Sequence, residues 1–387
     1  MTNFIGGNHL KLLRNGAEYF PALEAAIQHA QHEIYLETYI YQEDVIGRRI
    51  GNALKKAAHR GVKVYLLLDG FGSQDFSITF LQGFQLAGVN VMFYRQKISP
   101  WTFKKNRLRR LHRKVVVIDG KVGFVGGINI IDDNNVPEEA IPRVDYAVEI
   151  RGALLAPLLD SVQKLWKRLA WLQLRQVPQK YANAQTKLDQ KYKEVKAALV
   201  LRDNVLHRRD IEEAYLEAIA NAKEEIIIAN SYFVPGWRFR KALMDAADRG
   251  VSVKLLLQGR IEYVVMLATH AFYSTFLAHG IEIYEYRKSF MHSKVAVIDR
   301  TWATVGSSNI DPFSLLLARE ANVVVRDHFF AEELRASIFQ SLQDGATEIS
   351  PQAWVRGNLR QRIFSWMVYG ALRIVLGFIG RAEDWRK

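Results

Sequence analysis

Residues 112–129 read HRKVVVIDGKVGFVGGIN and residues 292–309 read HSKVAVIDRTWATVGSSN; the two align without a gap, each position 180 residues from its match. Both have the form His-x-Lys, four residues, Asp, six residues, Gly-x-x-Asn. A motif of that length repeated in strict register marks a duplicated unit. Working outward, RGVKVYLLLDG (60–70) matches RGVSVKLLLQG (249–259), and HEIYLETY (32–39) resembles EEIIIANS (224–231). Each half therefore reads as helix, strand, helix, strand, variable loop, motif strand and second strand. The helices show apolar spacing, as in Ala22, Leu23, Ala26, Ile27 and Ala30, and the strands are short β-branched runs such as VKVYLLL and KVVVID. Alternation of this kind predicts an α/β sandwich with a mixed or mainly parallel sheet in each half.

The motif carries its own chemistry. An apolar run follows each lysine, so the segment is a buried strand, and alternation puts His and Lys two apart on one face, where both reach a single anion. Imidazole attacks phosphorus when neutral and delivers a proton when charged. Two of them, His112 and His292, divide those roles. Lys114 and Lys294 offer cations, and Asn129 and Asn309 offer amide donors, to a phosphate that gains charge in its transition state. The glycines of VGGIN and VGSSN serve either as turn formers or as openings for a phosphate. Asp119 and Asp299 complete the motif and are counted with its catalytic set, although their place at strand ends before turn residues reads as structural. A metal between the histidines is disfavoured because each stands beside a lysine that repels a divalent cation. No cofactor is expected.

The rest of the chain bounds the setting. Its 387 residues accommodate two domains, and 49% apolar with 24% charged residues is a globular balance. The absence of cysteine excludes disulfides, thiolate zinc sites and cysteine nucleophiles, and it fits a reducing compartment. A net charge of +13 favours an anionic partner, nucleic acid or an acidic membrane face. The opening MTNFIGGNHLKLLRNG lacks the features of a secretory signal or a presequence, which predicts the cytosolic side.

These motifs resemble the phospholipase D superfamily and, within it, the bacterial cardiolipin synthases of the shorter type that lacks an N-terminal pair of transmembrane helices. LLRNGAEYFPAL, IYLETYIYQEDVIG, RGVKVYLLLDGFGS, RDNVLHRRDIEEAYLEAI, ANSYFVPGWRF and VGSSNIDPFSLLLARE carry the closer match. The resemblance implies two homologous sandwich halves related by a pseudo-twofold axis around one active site. It also implies a covalent phosphohistidine on His112, with His292 as acid and then base. Asp145 in RVDYAVEI and Glu320 in AREANVVV match the carboxylates that the family places after each motif to orient a histidine ring. The implied reaction moves a phosphatidyl group from one phosphatidylglycerol to the hydroxyl of another. Hydrolysis by the same machinery, as a phospholipase D or a nuclease, and an inactive lipid-binding scaffold are the alternatives.

Four segments follow: a first half, 1–177; a polar, lysine-rich linker, 178–196; a second half, 197–350; and a tail, 351–387, in which arginines alternate with aromatic and apolar residues. A membrane span needs roughly 20 mostly apolar residues. Residues 363–380 are interrupted by Arg373, so the tail is expected to be an amphipathic helix at a membrane interface. The run KKNRLRRLHRK (104–114), with seven basic residues, is expected to draw anionic headgroups to the site. The expected partner is an anionic phospholipid membrane, met peripherally at its cytoplasmic face, rather than nucleic acid.

Overall fold

A computed structural model of the chain describes residues 2–95, 109–136, 141–174, 194–260, 267–356 and 359–379. The first half contributes β1 (Ile5–Arg14), β2 (Glu33–Thr38), β3 (Lys63–Asp69), β4 (Asn90–Tyr94), β5 (Lys114–Ile118), β6 (Val122–Gly126) and β7 (Tyr146–Gly152). The second contributes β8 (Val195–Arg202), β9 (Glu225–Asn230), β10 (Ser252–Gln258), β11 (Glu282–Tyr286), β12 (Lys294–Ile298), β13 (Trp302–Gly306), β14 (Glu320–Arg326) and β15 (Ala346–Glu348).

Across the sheet the order is β15-β11-β10-β9-β12-β13-β14-β8-β1-β7-β6-β5-β2-β3-β4. Read outward from the central β8-β1 pair, both sides give the same sequence of seven strands, which is the pseudo-twofold relation, and β15 is added at the outer edge of the second half. The expected mixed sheet is present, since β2-β3-β4 and β9-β10-β11 pair in parallel while the motif strands β5 and β12 run antiparallel to β2 and β9. What the repeat did not indicate is continuity. β1 and β8 pair near Ile5–Ala197 and Asn8–Val195 and join the halves into one fifteen-stranded sheet among the described residues.

The motif strand is buried because it lies inside this sheet with both faces covered. Val115 and Val117 enter a central core cluster, while Val116 and Ile118 enter an outer cluster of the first half. Helices Leu155–Leu172 and His328–Gly345 supply the central cluster, which draws on both halves, so docking the halves contributes to one shared core. Each fully buried Val, Leu or Ile contributes about 1.5–3 kcal/mol. Antiparallel pairing places Lys114 beside the end of β2 and Lys294 opposite Asn230 at the end of β9. The motifs therefore open at the carboxyl ends of the parallel strands, where α/β sheets leave a crevice.

The C-terminal segment is not a free tail. In helix Leu359–Ile379, Ser365 and Tyr369 are buried, and the Tyr369 ring meets Phe272 edge-on at 4.8 Å. Trp354 Nε1 donates to Ser274 Oγ at 3.1 Å. The opposite side of the same helix leaves Ile363, Phe364, Met367 and Ile374 about half or more exposed. Among the described residues no helix is long and apolar enough to cross a membrane.

Candidate active site

Two short backbone bridges between the halves assemble the site. Leu111 pairs with Arg319 and Val144 with Met291, both in parallel, and the bonds His112 N–Arg319 O (3.0 Å) and His292 N–Val144 O (2.7 Å) lock them. Each bridge sets the approach to one motif strand against the approach to β14 or β7 of the other half. The next residues along therefore meet across the junction. His112 Nδ1 lies 2.9 Å from Glu320 Oε1, and His292 Nδ1 lies 2.6 Å from Asp145 Oδ2. Each ring is thus oriented by a carboxylate of the opposite half. Both carboxylates are buried, whereas the histidine side chains keep 15% and 12% exposure, enough to face a mouth. Placing the Nδ1 proton toward the carboxylate, an assignment from the hydrogen-bond pattern, leaves Nε2 as the basic nitrogen of each ring.

The lysines fold back onto the same place. Lys114 Nζ donates to His112 O at 2.6 Å; Lys294 Nζ donates to His292 O and stands 3.9 Å from Asp145 Oδ2. Asn129 Oδ1 accepts from Ile40 N at 3.0 Å, and Asn309 Oδ1 accepts from Ser231 Oγ at 3.0 Å. With each amide oxygen committed to the adjoining loop, the NH₂ end is the part that an anion would use.

Burial and crowding of like charge set the electrostatics. Burial, then Lys294 opposing the help from Glu320, lowers Lys114 to about 7; burial lowers Lys294 to about 8, with Asp145 acting against it. Burial lowers His112 despite Glu320, and burial together with Lys294 and Arg143 holds His292 well below the ordinary histidine range. Burial also raises Asp145 to about 6, against the pull of Lys294. The cluster is short of negative charge, the condition that an anion would correct.

Asp119 and Asp299 lie elsewhere. They follow β5 and β12, about 15 Å along the strand from the lysines. The Asp119 carboxylate accepts from Gln31 N (2.7 Å), His32 N (2.8 Å) and Glu33 N (2.8 Å), and Asp299 accepts from Lys223 N (2.8 Å), Glu224 N (2.8 Å) and Glu225 N (3.0 Å). Each ties the turn after a motif strand to the start of β2 or β9. The geometry separates them from the catalytic set in which the motif had counted them.

Sequence reasoning missed three site residues. Asp69 Oδ2 accepts from Leu111 N at 2.7 Å and so fixes the residue before His112. The Tyr39 ring meets the His112 ring at 4.8 Å and lies 5.4 Å from Lys114 Nζ. Ser307 donates its hydroxyl to Glu320 Oε2. A signal existed for Asp69, a lone acid closing the apolar run LLLD. In the basic run, Lys104, Lys105 and Arg107 lie outside the described residues. Arg110 stacks over Phe71 at 4.5 Å, and Arg113 turns away to pair with Glu37.

A family model described as "Cardiolipin synthase, PLD-like domain" matches twice, at residues 23–150 and 215–342. Cardiolipin synthase B of Salmonella typhimurium and of Escherichia coli K12 are each 40% identical over 343 residues, covering 86% of this chain and 80% of that protein. The probable cardiolipin synthase YwiE of Bacillus subtilis is 30% identical over 367 residues, covering 92% of this chain and 70% of that protein. Among solved structures, phosphatidylserine synthase of Haemophilus influenzae superposes with a TM-score of 0.72 over 98% of this chain and 97% of that one at 13% identity, a likeness of fold. With both copies of the family model matched and relatives alike over most of their length, the chain belongs to the cardiolipin synthase family of phospholipase D-like proteins.

Proposed function

We propose that the chain is a cardiolipin synthase that carries a phosphatidyl group through His112. The observation that supports this most is the crossed pairing of His112 with Glu320 and of His292 with Asp145, which makes one site with two oriented bases. His112 Nε2 attacks the phosphorus of one phosphatidylglycerol, the phosphorus–oxygen bond to glycerol breaks, and His292 gives its proton to the departing oxygen. His292 then takes the proton from the hydroxyl of a second phosphatidylglycerol, whose oxygen displaces His112. Burial and neighbouring cations lower the affinity of His292 for a proton, and a phosphodiester anion bound between Lys114 and Lys294 offsets that charge and raises it. Lys114, Lys294, Asn129 and Asn309 hold the transferred phosphate.

The working surface is an anionic phospholipid membrane, met peripherally at its cytoplasmic face. Ile363, Phe364, Met367 and Ile374 form an exposed apolar stripe, and the chain from Ile349 to Ala382 has arginines but no acidic residue. We read residues 1–177 and 197–350 as the two halves, 178–196 as the link and 351–387 as the interface element. The test incubates the protein with phosphatidylglycerol vesicles and analyses the lipids by mass spectrometry. Cardiolipin and glycerol are expected, and His112→Ala is expected to lower them at least about 10⁴-fold. Phosphatidic acid without cardiolipin would make the protein a hydrolase.

A further inference from the structure

Arg143 stands two residues before Asp145. Its backbone is fixed beside the second motif by the bonds Val144 N–Phe290 O (2.9 Å) and His292 N–Val144 O (2.7 Å). Its guanidinium lies 5.7 Å from the centre of the Phe290 ring, and the same ring stacks with the His292 imidazole at 6.0 Å and 20°. Guanidinium and imidazole therefore flank one aromatic wall. The hydrogen bond that Arg143 makes through Nη2 goes to a carbonyl, Asn135 O, at 3.2 Å. Among the described residues no carboxylate comes within 4 Å of its guanidinium; Asp145 and Asp133 support its charge from further off, while burial opposes it. A partly buried guanidinium anchored to one carbonyl keeps donors for an anion and presents them as a planar fork. The matching position two residues before Glu320 is Ala318. This cation exists on the His292 side alone.

We infer that Arg143 forms a subsite for the phosphodiester of the acceptor lipid; this rests on the cardiolipin-forming reading above. The transferred phosphate is held between the histidines by the paired lysines and asparagines, whereas Arg143 stands against the Phe290 ring on the His292 side. An acceptor phosphatidylglycerol carries its own phosphate three carbons from its terminal hydroxyl. Bound at Arg143, that phosphate presents the hydroxyl to His292, which takes the proton as the oxygen attacks phosphorus and the bond to His112 Nε2 breaks. Water and simple alcohols have no phosphate and gain nothing from Arg143. The subsite thus selects a phosphate-bearing acceptor by holding it close to the phosphohistidine.

The experiment offers both kinds of acceptor to the full-length protein at once. Phosphatidylglycerol vesicles are incubated with radiolabelled glycerol, and each sample is read for cardiolipin and for label exchanged into phosphatidylglycerol. In Arg143→Gln, cardiolipin should fall about tenfold relative to exchange, with a raised apparent KM for the lipid acceptor. Arg143→Lys, which keeps the charge without the fork, should restore part of the ratio, and thermal melts of both variants show whether the fold is kept. If the two products fall in parallel, or the ratio stays at its wild-type value, Arg143 has no part in choosing the acceptor. A wild-type protein that exchanges glycerol but makes no cardiolipin would overturn the reading of the reaction, and with it the subsite. A changed ratio separates the two questions.

Discussion

Compare the ground under the two orienting carboxylates. In the first half, Gly127 lies beneath Asp145, and a Cβ there would stand 2.3 Å from Asp145 Oδ1. In the second, the matching residue is Ser307, whose hydroxyl donates to Glu320 Oε2. The shorter acid sits over bare backbone, and the longer one rests on a hydroxyl. Further along, Tyr39 leans on His112, while its counterpart Ser231 donates to Asn309. His292 shares the Phe290 ring with Arg143, a cation that acts with burial to lower its affinity for a proton. The duplication thus fixes where the two imidazoles stand, while residues around them make one side unlike the other. The proposed reaction has two steps of different chemistry and would draw on that difference, one ring attacking phosphorus while the other handles protons.

The severest way to break the comparison is to remove each carboxylate charge. Glu320→Gln and Asp145→Asn should each lower turnover about 10²- to 10⁴-fold, as expected when a histidine loses the partner that fixes its tautomer. Acid-quenched single turnovers locate the effect. Glu320→Gln, though in the second half, should slow appearance of phosphate on His112, and Asp145→Asn should slow its discharge. If each substitution instead disturbed the histidine of its own half, the crossed pairing would have no catalytic meaning.

A smaller effect sharpens the contrast beneath the carboxylates. Gly127→Ser should not imitate Ser307, because the added Cβ displaces Asp145; a loss of about tenfold to 100-fold in kcat is expected. Ser307→Ala opens no clash and removes the hydroxyl that donates to Glu320 and accepts from Ala321 N, so a drop of about two- to tenfold should follow. Equal losses in steady-state assays would show that the two floors are interchangeable.

The mildest effect on turnover belongs to the motif aspartates. Asp119→Asn and Asp299→Asn each weaken three backbone hydrogen bonds to a carboxylate, worth about 1–3 kcal/mol of stability, and activity per folded molecule should stay within about twofold. Thermal denaturation beside kcat checks this. A hundredfold loss of kcat with an unchanged melt would return them to the chemistry.

Much of the site was legible because its periodicity is local. His112 and Lys114 share a face since successive strand residues alternate, and VVVI and VAVI announce buried strands. Asp119 stands where the apolar run ends, and its turn position already suggested a structural task. Tyr39 and Ser307 were not legible as site residues. Each resembles an ordinary member of a strand end or turn, and its role depends on a neighbour from elsewhere in the chain.

The sequence by itself determined that two equivalent motifs exist, that each sits at the mouth of a buried strand, and that the residue types suit an anionic phosphate. Tertiary structure alone decided the pairing. His112 and Glu320 are 208 residues apart and His292 and Asp145 147 apart, and what unites them is the joining of the halves over one shared core and through two short bridges. Contacts within the second half, such as Tyr369 on Phe272, place one side of helix Leu359–Ile379 in that half's core and leave its other side exposed. Strand alternation acts over neighbouring residues and is written in every short segment. The packing of one half on the other is a sum over many distant contacts, and no single segment encodes it.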